Sequence, residues 1–143
     1  MPSHPSILLI EDSPGECELF RLALAQSGFD VALYTAHDAE GALHFLKNQS
    51  GLPSLVLLDW HLRKQRGDEF LKCLRADSRV VAIPVVIFTT SDDASDASSA
   101  YGHGANGYVV KPGTFDELVQ CVGDICRYWI GRNRTAYMAE TRC

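Results

Sequence analysis

The sequence predicts an α/β protein in which five parallel strands form a doubly wound sheet between five helices. Five short apolar runs alternate along the 143 residues with five longer segments of helical character. Neighbouring parallel strands need crossover connections, and helices usually provide them. The first and third apolar runs are continuous, as expected for strands that are buried on both faces of a sheet.

The individual elements can be justified in chain order. Residues 7–10 (ILLI) form the first strand, and Ser13 then starts a helix as its N-cap, with Pro at the first helical position and Glu16 three residues after the cap. Gly28 ends this helix, since glycine suits the left-handed conformation that follows many helices. The remaining predicted elements are a strand at 31–35 near the sheet edge, a helix at 38–47, a strand that ends at Asp59, a loop at 63–67, a helix carrying Phe70, Leu71 and Leu74, a strand at 85–89, a weakly apolar helix at 91–104, a strand at 107–110 and an amphipathic helix from Thr114 to Trp129.

Length, composition and charge are typical of a single-domain globular protein. Residues 6–130 are expected to form one domain, with a short lead at 1–5 and a polar tail at 131–143. The net charge of −5 lacks the basic surface that direct binding of nucleic acid requires. No apolar run approaches the length of a membrane span, and no signal peptide is visible, so we expect no membrane association.

The five cysteines indicate a reducing compartment. Their number is odd and no CxxC pair occurs, which argues against a disulfide framework and against a zinc site. Three of them fall at apolar positions of predicted helices, where we expect small buried side chains. Reduced thiols are typical of the cytoplasm.

Reactive side chains follow four of the five predicted strands, at the edge of the sheet where ligands bind in open parallel folds. Three carboxylates gathered there would raise one another's pKa values, and a divalent cation would remove that cost. Ligands that are all oxygen favour Mg²⁺ over zinc or copper. The residues at these strand ends are Glu11 and Asp12 after the first strand, Asp59 after the third, Thr89 and Thr90 at the fourth, and Lys111 after the fifth.

A cation, a lysine and a hydroxyl around carboxylates match the chemistry of a phosphoryl group. The cation and the lysine can neutralise phosphoryl oxygens, and the hydroxyl can donate a hydrogen bond to one of them. One carboxylate can also act as the nucleophile and form an aspartyl phosphate. Asp59 is the best candidate, because it ends the most apolar and therefore most central strand.

These residues, in this order, resemble the receiver domain of two-component response regulators over about residues 6–129. The spacing is 47 residues from Asp12 to Asp59, 30 from Asp59 to Thr89 and 22 from Thr89 to Lys111. These spacings are similar to those of chemotaxis-type receivers. The resemblance implies a flavodoxin-like fold with strand order 2-1-3-4-5. It also implies a signalling protein that catalyses only its own phosphotransfer and slow autodephosphorylation. The motifs that carry the resemblance are ED at 11–12, the apolar strand ending at Asp59, Gly67 eight residues later, Thr89, and YVVKP at 108–112.

The resemblance assigns roles to the acidic residues. Asp59 would accept a phosphoryl group from the histidine of a sensor kinase. Asp12 and Asp59 would bind Mg²⁺ directly, and Glu11 would act through a water molecule. The backbone carbonyl of His61 would be a further ligand, and its side chain is expected to face solvent and to tune hydrolysis.

The resemblance also assigns a switch. Spacing to Lys111 selects Thr89 over Thr90 as the hydroxyl that turns towards the phosphoryl group, and Lys111 would pair with the phosphoryl oxygens. Tyr108 occupies the aromatic switch position and would move inward, which would change the surface of helix four, strand five and helix five. Helix four has few apolar residues, which is typical of an element of low local stability that can act as a switch. A surface helix without a regulatory role would show the same pattern.

Two residues depart from the pattern of the family. Many receivers have Pro four residues after the acceptor, where this chain has Arg63, and many have Phe after Lys-Pro, where this chain has Gly113. Both lie in loops beside the site. We therefore expect altered loop geometry and phosphoryl lifetime with the chemistry retained.

The sequence after residue 130 offers no DNA-binding or catalytic segment, so a stand-alone receiver with a protein partner is expected. DSPGECELFRLAL, FTTSDD and the end of the last helix are similar to the small response regulators of bacterial phytochromes. This similarity implies a bacteriophytochrome kinase as partner. It also implies a homodimer through the face of helices four and five, with Tyr101 and Trp129 at the interface. Trp129 is equally compatible with capping the core.

Other phosphoryl and nucleotide chemistries fit less well. A phosphatase of the haloacid dehalogenase type needs a second Asp two residues after the nucleophile, where this chain has His61. The P-loop pattern GxxxxGK[ST] is absent, and the acidic EDSPGE loop would repel the phosphate of a flavin nucleotide. A degenerate receiver that acts as an interaction module without phosphorylation is the remaining alternative.

Overall fold

The computed structural model describes residues 4–48, 51–64 and 66–133. Five parallel strands form one sheet in the order β2-β1-β3-β4-β5, which confirms the predicted fold and strand order. Most of the predicted tail, and residues 1–3 of the predicted lead, lie outside the described residues. The elements are β1 (Ser6–Ile10), α1 (Pro14–Ser27), β2 (Ala32–Ala36), α2 (Ala39–Asn48), β3 (Leu55–Leu58), α3 (Gly67–Ala76), β4 (Val85–Thr89), α4 (Ala94–Gly102), β5 (Gly107–Val110) and α5 (Phe115–Ile125), which continues as a π-helical turn (Cys126–Ile130).

Capping side chains set the helix starts. Ser13 accepts a hydrogen bond from the Glu16 N–H at the start of α1, as predicted, and Thr114 does the same for Glu117 at the start of α5. The prediction that the fourth helix begins at Ser91 is wrong. Asp93 caps α4 by accepting the Ser95 N–H, so the helix begins three residues later than expected.

The end of the last helix also differs from the prediction. The α-helical pattern stops at Ile125, and the chain reaches Ile130 through the π-helical turn. Apolar spacing continues through both segments and so does not distinguish them. Trp129 lies in this wider turn, and its ring packs close to Gly107, where an added Cβ would lie 3.1 Å from Trp129 Cζ2.

Two apolar layers hold the sheet. One layer packs α2, α3 and α4 against one face, and the other packs α1 and α5 against the opposite face. Every residue of β1, β3 and β4 is buried, so side chains that alternate along these strands fill both layers. The outer strands β2 and β5 are only partly buried, which agrees with the predicted edge position of the second strand.

Trp60 is a core residue that the sequence pattern did not reveal. It directly follows Asp59, after the end of the strand, yet it is 2% exposed. Its ring packs on Gly67, where an added Cβ would come within 2.6 Å of the Trp60 Cε3 atom. The close approach of Gly67 therefore holds the loop after Asp59 against the start of α3.

The cysteines follow the expectation in part. Cys17 and Cys126 are buried, Cys121 is half-buried and Cys73 is exposed. Burial raises the pKa of the Cys126 thiol to about 11. Among the described residues, no helix is long and apolar enough to cross a membrane.

Candidate functional site

The sheet register brings the first and third strands together at their carboxyl ends. Ile10 pairs with Leu58, and the Asp59 N–H donates to the Ile10 carbonyl over 3.1 Å. The residues just beyond these positions therefore project from the same edge. One carboxylate oxygen from each of Glu11, Asp12 and Asp59 lies within 4.8 Å of the other two.

Lys111 approaches this cluster from β5. Its Nζ donates to Glu11 Oε1 over 2.5 Å and lies 3.7 Å from Asp59 Oδ2. The Lys111 backbone N–H donates to the Thr89 carbonyl over 2.7 Å, which fixes the position of the lysine at the end of the sheet. The ammonium thus reaches both the first acid and the expected acceptor from a rigid support.

The electrostatics of the cluster favour a charged lysine. Removal of Lys111 from water acts to lower its pKa. The hydrogen bond to Glu11 and the charges of Asp59 and Glu11 outweigh that effect, so the pKa of Lys111 is raised. Burial raises the pKa of Glu11, against the opposing influence of Lys111. One lysine faces three carboxylates, and the excess of negative charge remains available to a cation.

Backbone donors orient each carboxylate. Glu11 Oε2 accepts the Ser13 N–H over 3.1 Å, and Asp59 Oδ1 accepts the His61 N–H over 3.2 Å. These bonds occupy one side of each carboxylate and hold its orientation. Such fixed oxygens are suited to bind a hard cation.

Arg63 uses the backbone donor that proline lacks. Its N–H donates to Asp12 Oδ2 over 2.8 Å, while its guanidinium Nε lies 4.0 Å from the same oxygen and is largely exposed. A proline at this position could not make the first of these bonds. The departure from the family pattern therefore adds a direct contact to one of the predicted metal ligands.

The oxygen donors at this edge of the sheet fit Mg²⁺. Three carboxylates within 4.8 Å of one another provide hard ligands, and no thiol or imidazole belongs to this group of described residues. The His61 carbonyl lies on the loop after Asp59 and stays a predicted ligand. The cluster could hold a divalent cation between Asp12 and Asp59, with Glu11 further back beside Lys111.

The predicted switch residues lie on neighbouring strands. Thr89 ends β4 and is 1% exposed. Tyr108 lies in β5 and pairs with Ile87 of β4. The Tyr108 ring packs against the layer that contains α4, and its hydroxyl donates to the Ser91 carbonyl over 2.8 Å. Inward movement of Tyr108 on phosphorylation stays a prediction.

The side chain of His61 has a partner that sequence reasoning missed. The imidazole is 60% exposed, as expected for a side chain facing solvent, yet its Nε2 lies 2.8 Å from Asp96 Oδ2 in the first turn of α4. Asp96 also accepts the Ser91 hydroxyl over 2.7 Å. The two residues of the His61 contact are 35 positions apart in the sequence, and no local pattern could have joined them.

The two predicted interface residues differ in exposure. Tyr101 is 52% exposed on α4. Trp129 is half-buried, packs against the layer that contains α1 and α5, and meets the Tyr128 ring edge-on at 5.0 Å. Trp129 therefore contributes to the core, and its role at an interface stays a prediction.

Comparison with known proteins identifies similar chains. Residues 7–123 match the profile of the "Response regulator receiver domain" family. The chain is 38% identical over 133 residues to the probable methanogenesis regulatory protein FilR2 of Methanothrix harundinacea, covering 90% of this chain and 86% of FilR2. It is 33% identical over 129 residues to the response regulator Rcp1 of Synechocystis, covering 87% of this chain and 88% of Rcp1.

Solved structures show the same architecture. The phosphorylated cyanobacterial phytochrome response regulator RcpA superposes with a TM-score of 0.84 at 29% identity, covering 94% of this chain and 99% of RcpA. The Mn²⁺-bound form of Rcp1 superposes with a TM-score of 0.79 at 32% identity, covering 92% of this chain and 98% of Rcp1.

Proposed function

The chain belongs to the response regulator receiver family, and we propose that it accepts a phosphoryl group on Asp59 from a sensor histidine kinase, with Mg²⁺ as cofactor. The observation that carries this proposal is the meeting of three carboxylates and Lys111 at the carboxyl edge of the sheet. Glu11 and Asp12 follow β1, Asp59 follows β3 and Lys111 follows β5. Together they supply a nucleophile, a set of cation ligands and a fixed positive charge.

The transfer follows from this geometry. An Asp59 carboxylate oxygen attacks phosphorus in line, the P–N bond of the kinase phosphohistidine breaks, and the histidine leaves with the electron pair of that bond. Bound Mg²⁺ would neutralise charge on the phosphoryl oxygens. Lys111, 3.7 Å from Asp59 Oδ2, would reach those oxygens by moving away from Glu11. Asp12 and the His61 carbonyl would hold the cation together with Asp59, and Glu11 would act through water.

The response to phosphorylation would run through β4 and β5. Thr89 would turn its hydroxyl towards a phosphoryl oxygen, and Tyr108 would follow into the space released behind it. α4 is suited to respond, because Ala100 is its one buried residue and little apolar packing holds it. The face formed by α4, β5 and α5 would then present a different surface to a protein partner.

The phytochrome link rests on the relatives. RcpA is a cyanobacterial phytochrome response regulator, so we propose a phytochrome-type kinase as the upstream partner and a cytoplasmic site of phosphotransfer. Leu19 and Leu22 on α1 are exposed, and Leu19 lines a pocket together with Glu11 and Lys111, so this apolar surface would be available for kinase docking. Phosphotransfer profiling against the histidine kinases of the host would test this assignment, and preferential transfer from a kinase of another class would reject it.

A homodimer through the α4–β5–α5 face is part of the same proposal. Tyr101 and Val110 expose 52% and 43% of their surface on that face, and Trp129 lies at its edge. Sedimentation at micromolar concentration should detect a dimer with or without beryllofluoride. A monomer under both conditions would contradict the dimer and leave phosphorylation untouched.

Labelling by acetyl phosphate tests phosphorylation itself. In the presence of Mg²⁺ we expect a labile mass increase of one phosphoryl group, and Asp59→Asn should abolish it. Asp124→Asn, an exposed acid on α5, is the matched control and should label normally. An unlabelled wild-type chain would instead favour the degenerate receiver that signals without phosphorylation.

A further inference from the structure

Four hydrogen bonds, joined through the covalent structure of His61 and Ser91, lead from Asp59 to Tyr108 without passing through the threonine at the end of β4. The His61 N–H donates to Asp59 Oδ1 over 3.2 Å, and the His61 ring Nε2 lies 2.8 Å from Asp96 Oδ2. The Ser91 hydroxyl donates to the same Asp96 oxygen over 2.7 Å, and the Ser91 carbonyl accepts the Tyr108 hydroxyl over 2.8 Å. Every step of this series is a direct contact.

The acceptor at the centre of the series is a carboxylate. Hydrogen bonds from Ser91 and then His61 hold the pKa of Asp96 below its ordinary value. The His61 ring and the Ser91 hydroxyl meet the same oxygen, Asp96 Oδ2, so this one atom links the loop after Asp59 to the segment before α4. The Asp96 side chain is 22% exposed, so this contact is partly screened from solvent.

Residues that follow Asp59 contact α4 at both of its ends. His61 meets Asp96 in the first turn, and the Trp60 ring lies 6.4 Å, centroid to centroid, from the ring of His103 after the last turn. Ala100 is the one buried residue of α4, so these contacts add to little apolar packing. A shift of the loop after Asp59 would be transmitted to α4 directly.

We propose that His61 and Asp96 are positioning residues that couple Asp59 to α4 and Tyr108, in parallel with the route through Thr89. This inference rests on the proposed function for the group that Asp59 binds. A surface contact of this type adds little to global stability. It can still bias a switch, since a ligand shifts an equilibrium through any contact that differs between the two conformations.

Hydrogen exchange of α4 amides tests the coupling. Wild type, Asp96→Ala, His61→Ala and the double variant are compared in Mg²⁺ alone and in Mg²⁺ with beryllofluoride. We expect beryllofluoride to change α4 exchange in wild type, and each single substitution to reduce that change about two- to fivefold, the range that a pair of this kind can supply. The double variant should show no further reduction. Asp92→Ala removes the same charge from the same exposed segment and should respond as wild type.

The outcomes separate this proposal from the proposed function. If beryllofluoride changes α4 exchange in Asp96→Ala as much as in wild type, the coupling is overturned. This holds even if α4 of the variant exchanges faster without beryllofluoride, because faster exchange alone shows only that the contact is structural. Additive effects of the two substitutions overturn it as well. Acetyl phosphate labelling of the same proteins reports on phosphorylation independently.

A second cycle covers the case in which the chain is not phosphorylated. Asp59→Asn should alter α4 exchange without any ligand, and Asp96→Ala should remove that effect. The same Asp59→Asn effect in both backgrounds would reject the coupling. If acetyl phosphate does not label the wild-type chain, but Asp96→Ala removes the effect of Asp59→Asn on α4 exchange, only the proposed function is rejected.

Discussion

Substitution of Gly67 by Ala should destabilise the fold by about 2 kcal/mol. The new Cβ would lie 2.6, 3.0 and 3.3 Å from three atoms of the Trp60 ring, which is 2% exposed and has little room to move. Overpacking of a buried ring costs about 1–3 kcal/mol. Alanine regains at most about 1 kcal/mol of helix propensity, and less than that at the first residue of α3.

Urea unfolding followed by circular dichroism measures this change. A loss of about 2 kcal/mol corresponds to a decrease in Tm of about 4–8 °C for a chain of this size. Gly102→Ala is the control, because nothing lies within 4 Å of the position where its Cβ would be, and it should be neutral or slightly stabilising. If Gly67→Ala unfolds at the same urea concentration as wild type, Trp60 does not pack on this glycine and the loop after Asp59 is not held as described.

Three further predictions concern the site and the thiols. Lys111→Met should lower the free energy of unfolding by about 3 kcal/mol at neutral pH, because it leaves a buried glutamate without its counter-charge. That loss should shrink as the pH falls towards about 4.5, because burial holds the pKa of Glu11 above this ordinary value in the folded chain and a protonated Glu11 carries no unpaired charge. An equal loss at pH 4 and pH 7 in urea titrations would contradict the assignment. Arg63→Pro should weaken Mg²⁺ binding about tenfold, since it deletes the backbone donor that orients Asp12. Arg63→Ala keeps that donor and should bind Mg²⁺ with nearly the affinity of wild type. Equal Mg²⁺ affinities for the two variants in a fluorescence titration would refute the role of the Arg63 N–H. Iodoacetamide at pH 8 should modify exposed Cys73 first and leave Cys126 intact, because burial raises the pKa of Cys126 to about 11. The stability of the fold should accordingly fall as the pH rises from 9.0 towards that value. Early alkylation of Cys126 in peptide maps would show that its surroundings are open.

The fold could be predicted from the sequence because its signals are local and repeated. Continuous apolar runs identify strands buried on both faces, and Ser13 and Thr114 mark helix starts through their own side chains. The strand-end position of Asp59, with acids and a lysine at the other ends, then places the site without any knowledge of side-chain contacts. The family resemblance supplied the strand order, which the structure confirms.

The parts that could not be predicted depend on contacts between distant segments. Trp60 follows a charged residue in a loop, and its burial depends on the absence of a side chain at Gly67. The His61–Asp96 contact depends on the way α4 lies over the loop after β3. The start of α4 was missed because Ser91 and Asp93 are both good caps, and only the tertiary contacts of Ser91 decide between them.

Trapping of the phosphorylated residue tests the role of Asp59 most directly. The chain is incubated with Mg²⁺ and acetyl phosphate, the acyl phosphate is reduced with borohydride to the alcohol, and the peptides are sequenced by mass spectrometry. The predicted result is homoserine at position 59 in wild type and no reduced acid in Asp59→Asn. Reduction at Asp12 or Glu11 with position 59 unmodified would contradict the assignment of Asp59 as the phosphoacceptor.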